Sequence, residues 1–292
     1  MDKYVNTLWD AHVHLFPGKL FRAIWQWFDK YSLDFPYRGL SNKLLTDCLE
    51  KMGVKRAFLL VYAHKADISA GINQWLNDFC LKNPMYLPFG CVHPHDRKLG
   101  AVIEEALDLY DFPGLKMHYM VSRMRPDLPE LTPIYTALEK RGKILVAHAG
   151  TAPTPAPWLG MDFIERVLCA HPALTVQVAH LGHFELEKVA ILLEEYPNLY
   201  LDTAWALGNS YMSVDPGPVR ELILGFPDRV LYGSDFPIIP EDPRITVEKL
   251  LEMPLSDSIA GRVLQGNAER IILKAIKRRR VPALGNILRE NT

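Results

Sequence analysis

Trp9-Asp10-Ala11-His12-Val13-His14 is a short, largely apolar run in which two histidines stand two residues apart. Side chains at positions i and i+2 of a β-strand point to the same face, about 6–7 Å apart along the strand. The run therefore predicts a strand that projects His12 and His14 side by side. Two neutral imidazoles held on one strand provide half of a metal site. A lone histidine is more often an ordinary core or surface residue, so this interpretation depends on further ligands elsewhere in the chain.

Seven further runs are short, apolar and rich in β-branched residues, and amphipathic helical patterns separate them. Lys143-Ile-Leu-Val-Ala-His-Ala-Gly150 is nearly all apolar, which favours a parallel sheet covered on both faces. Eight strand–helix units in about 250 residues predict an α/β protein, a single-domain (β/α)8 TIM barrel over residues 1–292. The strands are predicted at 6–14, 56–63, 86–93, 114–120, 143–149, 174–181, 199–205 and 229–235, and the helices at 42–52, 69–82, 98–110, 131–141, 160–170, 184–196, 216–226 and 243–253.

A doubly wound open sheet is the alternative fold. Such a sheet usually has fewer strands and, where it binds dinucleotides, a G-x-G-x-x-G turn after its first strand. This chain has histidines at that place instead.

Two segments depart from a minimal barrel. Residues 16–41 form a long, aromatic-rich β1–α1 loop that we expect to act as a lid, and residues 256–292 add C-terminal helices and a basic tail.

The composition is that of a globular protein, with 49% hydrophobic residues, 23% charged residues and a formal net charge of −1. This charge gives no electrostatic reason to expect nucleic acid or an anionic membrane as a partner. No apolar run approaches the ~20 residues that span a membrane, and the first residues do not resemble a signal peptide. The four cysteines are widely spaced, as is typical of reduced thiols. We expect a cytoplasmic protein whose partner is a small-molecule substrate.

Polar side chains recur at the carboxyl ends of the predicted strands. Strand 4 carries Lys116 and His118, strand 5 ends with His148, strand 6 with His180, and strand 8 with Asp235. In a barrel these ends meet at one mouth, where barrel active sites lie. Polar groups at the ends of apolar strands are costly unless they bind something. The sequence therefore predicts one site at this mouth.

The ordered set resembles the amidohydrolase superfamily, most of all the amidohydrolase-2 branch, which includes aminocarboxymuconate-semialdehyde decarboxylase. The resemblance rests on Asp10-Ala-His-Val-His14, on the strand-5 and strand-6 histidines and on Gly233-Ser-Asp-Phe-Pro237. Gly266-Asn-Ala-Glu-Arg-Ile271 is similar to the closing helix of that branch, so the resemblance covers roughly residues 8–273. It implies four metal ligands and two catalytic residues. The ligands are His12, His14, His148 and Asp235, and the catalytic residues are Asp235 and His180.

Elementary chemistry agrees with this implication. Three imidazoles and one carboxylate suit one Zn²⁺ per chain, with Mn²⁺ or Fe²⁺ next in order. Such a metal lowers the pKa of a bound water toward ~7. Asp235 would accept the proton of that water, and His180 would stabilise the developing oxyanion. The alternative is a closed structural zinc site, although such sites prefer cysteine-rich, locally spaced ligands.

Four more residues are candidates for substrate binding: Lys116, His118, Arg123 and Trp158. In binuclear members of the superfamily a strand-4 lysine is carboxylated and bridges two metals, so Lys116 leaves a second metal open. It could equally bind a substrate carboxylate or form an ion pair inside the barrel. Arg123, in the loop after strand 4, is either a carboxylate clamp or a solvated arginine. Trp158, after strand 5, would add aromatic surface to the pocket.

The leading functional hypothesis is a metal-dependent hydrolase that uses activated water on a C–O or C–N bond of a small carboxylate or lactone. The alternative is a lyase, a non-oxidative decarboxylase or hydratase of an aromatic-derived acid. The aromatic segment 16–41 would suit that substrate. A third interpretation is a metal-binding protein with a vestigial site, against which the complete ligand set argues. The resemblance also leaves a homodimer open, because barrels of this branch are often dimers.

Overall fold

A computed structural model describes residues 7–31, 33–151, 155–183, 185–208 and 214–277. Eight parallel strands form one sheet. They are β1 (Leu8–Val13), β2 (Val54–Leu60), β3 (Tyr86–Cys91), β4 (Gly114–His118), β5 (Ile144–His148), β6 (Thr175–Val178), β7 (Leu199–Asp202) and β8 (Val230–Leu231). Each strand pairs with its neighbour in the chain, in the order β1 to β8.

The first and last strands also meet, which closes the sheet. The backbone N–H of Ala11 donates to the Tyr232 carbonyl at 2.8 Å, and that of His14 donates to the Phe236 carbonyl at 2.8 Å. Val13 and Phe236 form a parallel bridge. The prediction of a (β/α)8 TIM barrel is confirmed.

Helices separate the strands and extend the chain after β8. They are α1 (Gly18–Phe28), α2 (Asn42–Lys51), α3 (Ser69–Lys82), α4 (Leu99–Glu104), α5 (Tyr119–Ser122), α6 (Thr132–Arg141), α7 (Met161–Ala170), α8 (Leu186–Glu195), α9 (Pro216–Gly225), α10 (Pro243–Glu252), α11 (Asp257–Gly261) and α12 (Asn267–Lys277). π-helical turns at Glu105–Leu109 and Arg262–Gly266 continue α4 and join α11 to α12. No helix in the described ranges is both long and apolar enough to cross a membrane.

Several helix boundaries follow from local chemistry. Helices α9 and α10 each begin with a proline, whose missing N–H and fixed φ suit the first helical position. The carboxylates of Asp215 and Asp242 precede them and accept the free N–H groups of Gly217 and Arg244. Helix α6 ends at Gly142, whose φ of 63° lies in the left-handed region that glycine adopts without a steric penalty.

The aromatic segment 16–41, predicted as a loop, contains helix α1. Its sequence places Phe21, Ile24 and Trp25 on one side, and these three residues are buried. The ring of Trp25 packs on those of Phe21 and Phe35, with centroids 5.3 and 5.4 Å away. A helix forms because apolar residues three and four apart share one face. The segment therefore has its own apolar core at the mouth of the barrel.

Every strand ends before its predicted end, by one to four residues. Strand β6 stops at Val178, β7 at Asp202 and β8 at Leu231, whereas the predicted ranges were 174–181, 199–205 and 229–235. Beyond those ends His180, Trp205 and Asp235 have φ values of 60°, 59° and 68°. A positive φ cannot continue a strand, and it is strained for a side chain of this size. Such strain concentrates at functional sites.

The C-terminal helices predicted from residue 256 onward are present as α11 and α12. Ala268, Ile271, Ile272 and Ala275 of α12 join an apolar cluster with residues of the strands, among them Trp9. The helix thereby seals the barrel near the start of β1. The predicted basic tail begins within this helix, and its residues 278–292 lie outside the described residues.

Candidate metal centre and active site

Three buried side chains meet where β1 and the loop after β8 come together. Strand β1 projects His12 and His14 to the same side, and their Nε2 atoms lie 3.1 Å apart. The Oδ1 atom of Asp235 lies 3.3 Å from the first Nε2 and 3.0 Å from the second. The three residues form a candidate metal-binding group, the triad.

The triad has the donor chemistry and spacing that a divalent cation requires. Ligands bound at about 2.0–2.2 Å from one cation lie roughly 3–3.5 Å from each other, which is the spacing of these atoms. Asp235 Oδ1 is buried and makes no hydrogen bond with the described residues. Such an orphaned atom is costly unless it binds something. Two imidazole nitrogens and one carboxylate oxygen therefore fit a resident divalent metal such as Zn²⁺ or Mn²⁺.

The outer nitrogens of both histidines are anchored, which aims the inner nitrogens at the triad. The Nδ1–H of His12 donates to Asp202 Oδ2 at 2.9 Å, and that of His14 donates to the Leu60 carbonyl at 2.7 Å. A neutral imidazole with its proton on Nδ1 has a lone pair on Nε2. Burial, together with the charge of Lys116, holds the pKa of His12 well below its usual value. His12 is therefore neutral, as a metal ligand must be.

Asp202, the last residue of β7, was not among the residues predicted from the sequence. Its carboxylate accepts hydrogen bonds from the ring of His12, from Gln177 Nε2 at 2.7 Å and from the backbone N–H of His180 at 3.0 Å. A signal was present, because Leu-Tyr-Leu-Asp places an acidic residue at the end of an apolar strand, just as the predicted strand 8 does. Asp202 orients the ligands around the triad.

Asp10 ties the loop after β8 to β1. Its carboxylate accepts hydrogen bonds from the Ser234 hydroxyl at 2.5 Å, the Ser234 N–H at 3.0 Å and the His12 N–H at 3.1 Å. Burial raises the pKa of Asp10 to about 7, against the opposing effect of these hydrogen bonds. The contacts fix the backbone on both sides of the triad, since Ser234 immediately precedes Asp235.

His148 and His180 form a second pair beside the triad. His180 donates its Nδ1–H to the Ala204 carbonyl at 2.9 Å. Its Nε2 atom must then accept from His148 Nδ1, 3.0 Å away, which leaves the Nε2 atom of His148 as a free lone pair. The rings of His12 and His180 lie 4.9 Å apart. The ring of His180 therefore lies between His148 and His12 of the triad. The assignment of His148 as the fourth ligand stays a prediction.

The other predicted residues lie in different surroundings. His118 lines the pocket and stacks on His148 with centroids 4.0 Å apart. Lys116 is only 1% exposed and does not line the pocket; its Nζ has no hydrogen bond to a described residue, and burial lowers its pKa to about 8. Arg123 ends α5 with a left-handed backbone, and Trp158 packs against the apolar core. Neither of these two side chains borders the pocket.

A pocket with an empty volume of about 590 Å³, including its part open to solvent, reaches His14 and Asp235 of the triad. Residues of the aromatic segment 16–41 border the pocket, and a lid role for this segment stays a prediction. The pocket walls are mostly aromatic and apolar. The lining residues are His14, Trp27, Phe28, Tyr31, Leu33, Tyr62, His118, Met120, His148, His180, Trp205, Asp235 and Ile238.

The fold and this site define a barrel protein with a candidate metal-dependent active site at the carboxyl ends of its strands. The amidohydrolase family model matches residues 9–272, and the chain belongs to this family, the amidohydrolase-2 branch. The resemblance found in the sequence is confirmed. No curated protein sequence matches the chain.

Solved structures share the fold at low sequence identity. An uncharacterized TIM-barrel protein from Bordetella bronchiseptica is 20% identical, with a TM-score of 0.70 over 92% of this chain and 99% of that one. 5-Carboxyvanillate decarboxylase from Sphingomonas paucimobilis is 17% identical, with a TM-score of 0.68 over 91% and 98%. A dihydroxybenzoic acid decarboxylase from Polaromonas, solved with manganese and the inhibitor 2-nitroresorcinol, is 15% identical, with a TM-score of 0.67 over 94% and 100%.

Proposed function

We propose that the protein is a metal-dependent lyase that decarboxylates a small aromatic acid without oxidation. The main support for this proposal is an aromatic-walled pocket whose lining includes His14 and Asp235, two members of the candidate metal-binding triad. Two of the similar structures are decarboxylases, and one of them holds manganese. These similarities support the lyase over the hydrolase that the sequence alone favours.

The pocket suits a flat ring that carries a carboxylate. Trp27, Phe28 and Trp205 supply aromatic surface on which such a ring can stack. None of the described lining residues is a lysine or an arginine, so the substrate carboxylate lacks a cationic side chain as partner. A divalent cation held by the triad would supply that positive charge and act as a Lewis acid.

The reaction breaks the bond between the ring carbon and the carboxyl carbon. The electron pair of that bond remains on the ring carbon, which takes up one proton, and CO₂ leaves. Asp235 is the residue we assign to proton delivery, because it lines the pocket and burial raises the pKa of its carboxyl. His180 is assigned to hold His148, since both of its ring nitrogens are already engaged.

Hydrolysis of a C–O or C–N bond is the second candidate. The family's description as amidohydrolases favours it. The same residues would serve, with Asp235 taking a proton from the attacking water and passing it to the leaving group. The two reactions therefore differ in the fate of the substrate rather than in the residues required.

Isotope labelling separates the two candidates. Protein reconstituted with Mn²⁺ or Zn²⁺ is incubated in H₂¹⁸O with hydroxybenzoates, lactones and amides, and both CO₂ and ¹⁸O in the organic product are measured. We expect one CO₂ for each acid consumed and no ¹⁸O in the aromatic product. Incorporation of ¹⁸O without CO₂ would establish the hydrolase instead. Asp235→Asn is the control, and it should show neither reaction.

A further inference from the structure

Lys116 lies inside the barrel, one step deeper along β4 than the pocket. His118, two residues later on the strand, lines the pocket, and residues two apart in a strand point to the same side. The neighbours of Lys116 in the chain, Leu115 and Met117, belong instead to the apolar cluster that includes the outer helices. Lys116 is only 1% exposed, so its ammonium group is enclosed in the barrel interior.

The ammonium group of Lys116 lacks the direct partner that a buried lysine usually has. Its Nζ atom makes no hydrogen bond with any described residue. Lys143, the other lysine that is buried among the described residues, donates to Asp111 Oδ1 at 2.8 Å. A buried ammonium is costly unless opposite charges compensate it. The compensation for Lys116 must therefore act through space, from charges elsewhere in the barrel interior.

Two buried carboxylates of the metal centre supply these charges. Burial lowers the pKa of Lys116 to about 8, and the charges of Asp202 and Asp235 oppose this effect, so the ammonium keeps its proton at pH 7. After burial, the charge of Lys116 is the largest influence that lowers the pKa of His12 and of His118. The ammonium is thus within electrostatic range of the triad and of the carboxylate that anchors it.

We propose that Lys116 is an internal counter-ion that balances Asp202 and Asp235 in the metal-free protein and opposes a divalent cation at the triad. The inference rests on the divalent metal of the proposed function and adds to it a residue that controls metal affinity. The ammonium and the cation compete for the same two negative charges, and like charges repel strongly where little water screens them. Lys116 therefore stabilises the metal-free barrel and weakens metal binding.

The other roles considered for Lys116 predict a different effect of removing it. A carboxylated lysine would be an anion and a metal ligand, so its loss would weaken metal binding. A lysine that binds the substrate carboxylate would have to reach the pocket, and Lys116 is not among the lining residues. Only an uncompensated positive charge makes metal binding tighter when it is removed. The sign of the change in affinity therefore identifies the role.

The test compares the wild type with Lys116→Met, which keeps an unbranched side chain and removes the charge. Calorimetric titration with Mn²⁺ at pH 7 should show affinity about tenfold higher in the variant. The metal-free variant should melt at a lower temperature than the wild type, because two buried carboxylates have lost their counter-ion. Mn²⁺ should then raise the melting temperature of the variant by more than that of the wild type. General damage to the fold would instead weaken Mn²⁺ binding.

Lys143→Met is the matched control, because it removes a buried ammonium that is paired with Asp111 at the start of β5; it should leave Mn²⁺ affinity unchanged. Lys116→Gln is the second neutral variant, should Lys116→Met not fold. Equal or lower Mn²⁺ affinity in the folded Lys116 variant would overturn the proposal. A wild type that binds no Mn²⁺ would overturn it together with the metal centre. Tighter Mn²⁺ binding by the variant, in a protein that releases no CO₂ from any acid, would support the counter-ion and refute only the proposed lyase.

Discussion

Asp202 joins three parts of the candidate site through one carboxylate. It accepts from the ring of His12, the amide of Gln177 and the backbone of His180. In Asp202→Asn, the side chain loses its charge and one of its two acceptor oxygens. Because such supporting contacts set the orientation and basicity of a ligand, we expect Mn²⁺ affinity to fall about 10- to 100-fold with the barrel still folded. Calorimetric titration with Mn²⁺ measures this.

Asp215→Asn is the control for that titration, since Asp215 caps α9 away from the site and should leave Mn²⁺ affinity unchanged. Equal Mn²⁺ affinity in the wild type and in Asp202→Asn would show that metal binding by His12 does not depend on its hydrogen bond to the Asp202 carboxylate.

Gly233 allows the loop after β8 to pass close to β1. A Cβ atom at this position would lie 2.8 Å from the Cβ of His12 and 3.3 Å from that of Asp202. Gly233→Ala must therefore displace His12, and we expect weaker Mn²⁺ binding together with a loss of about 1–3 kcal/mol in the free energy of unfolding. Gly261→Ala has open space around it and serves as control. Chemical denaturation with and without Mn²⁺ measures both effects.

Some of these residues could be found in the sequence and others could not. His12 and His14 could be identified from the sequence, because residues two apart in a strand point to the same side. Asp235 followed from its place in an ordered set of strand ends. Tyr62 could not be found, because only the tertiary packing places it at the pocket beside His14.

At the level of elements, α1 and the residues after it form a wall of the pocket. Trp27 is 40% exposed, lines the pocket and carries the Lys30 ammonium 3.8 Å from its ring centre. Removing a half-exposed side chain costs little fold stability but takes contact area from a bound ring. We expect Trp27→Ala to weaken 2-hydroxybenzoate binding to the Mn²⁺-loaded protein by about five- to tenfold without lowering the melting temperature.

Leu81→Ala, on the exposed face of α3, is the control for this measurement and should change neither quantity. A drop in melting temperature in Trp27→Ala with unchanged binding would show that Trp27 only packs within the segment 16–41 and does not contact the ligand.

The number and order of the strands could be predicted, whereas several of their ends could not. Strands are recognised by apolar runs, and those runs continue past the true ends of β6, β7 and β8. The residues that follow leave the strand through positive φ values at His180, Trp205 and Asp235. A histidine or tryptophan in the sequence does not predict a positive φ, because contacts from other strands stabilise such a turn.

For the whole molecule, the buried histidines predict a loss of stability in acid. In His12, His118, His148 and His180 the pKa is held well below the ordinary value of 6.5, mainly by burial. Below that pH the unfolded chain binds protons that the folded chain does not. Each such histidine lowers the free energy of unfolding by about 1.4 kcal/mol per pH unit. Asp10, with its pKa raised to about 7, acts in the opposite direction.

Urea unfolding of the metal-free protein at pH 7, 6 and 5 measures the balance. We expect stability to fall at each step, because the four histidines outweigh Asp10 and Asp235, whose raised carboxyl pKa values act in the opposite direction. His118→Phe should reduce the slope. Stability that stays constant or rises toward pH 5 would mean that these histidines are solvated.

The barrel as a whole could be predicted because its evidence is repeated: eight apolar runs, each followed by a helical pattern, leave few alternatives. The geometry of the site could be predicted less well from the sequence, because the distances between ligands depend on how β8 closes against β1. The reaction could be predicted least well, because similar folds host different reactions.

His12, His14 and Asp235 are expected to bind one divalent metal at the floor of the aromatic pocket. Anomalous diffraction from crystals of the Mn²⁺-loaded protein would locate this ion. We expect one strong manganese peak per chain, about 2.0–2.3 Å from both Nε2 atoms and from the Asp235 carboxylate. A fully loaded crystal with no peak at this triad, or with its only peak elsewhere, would contradict it.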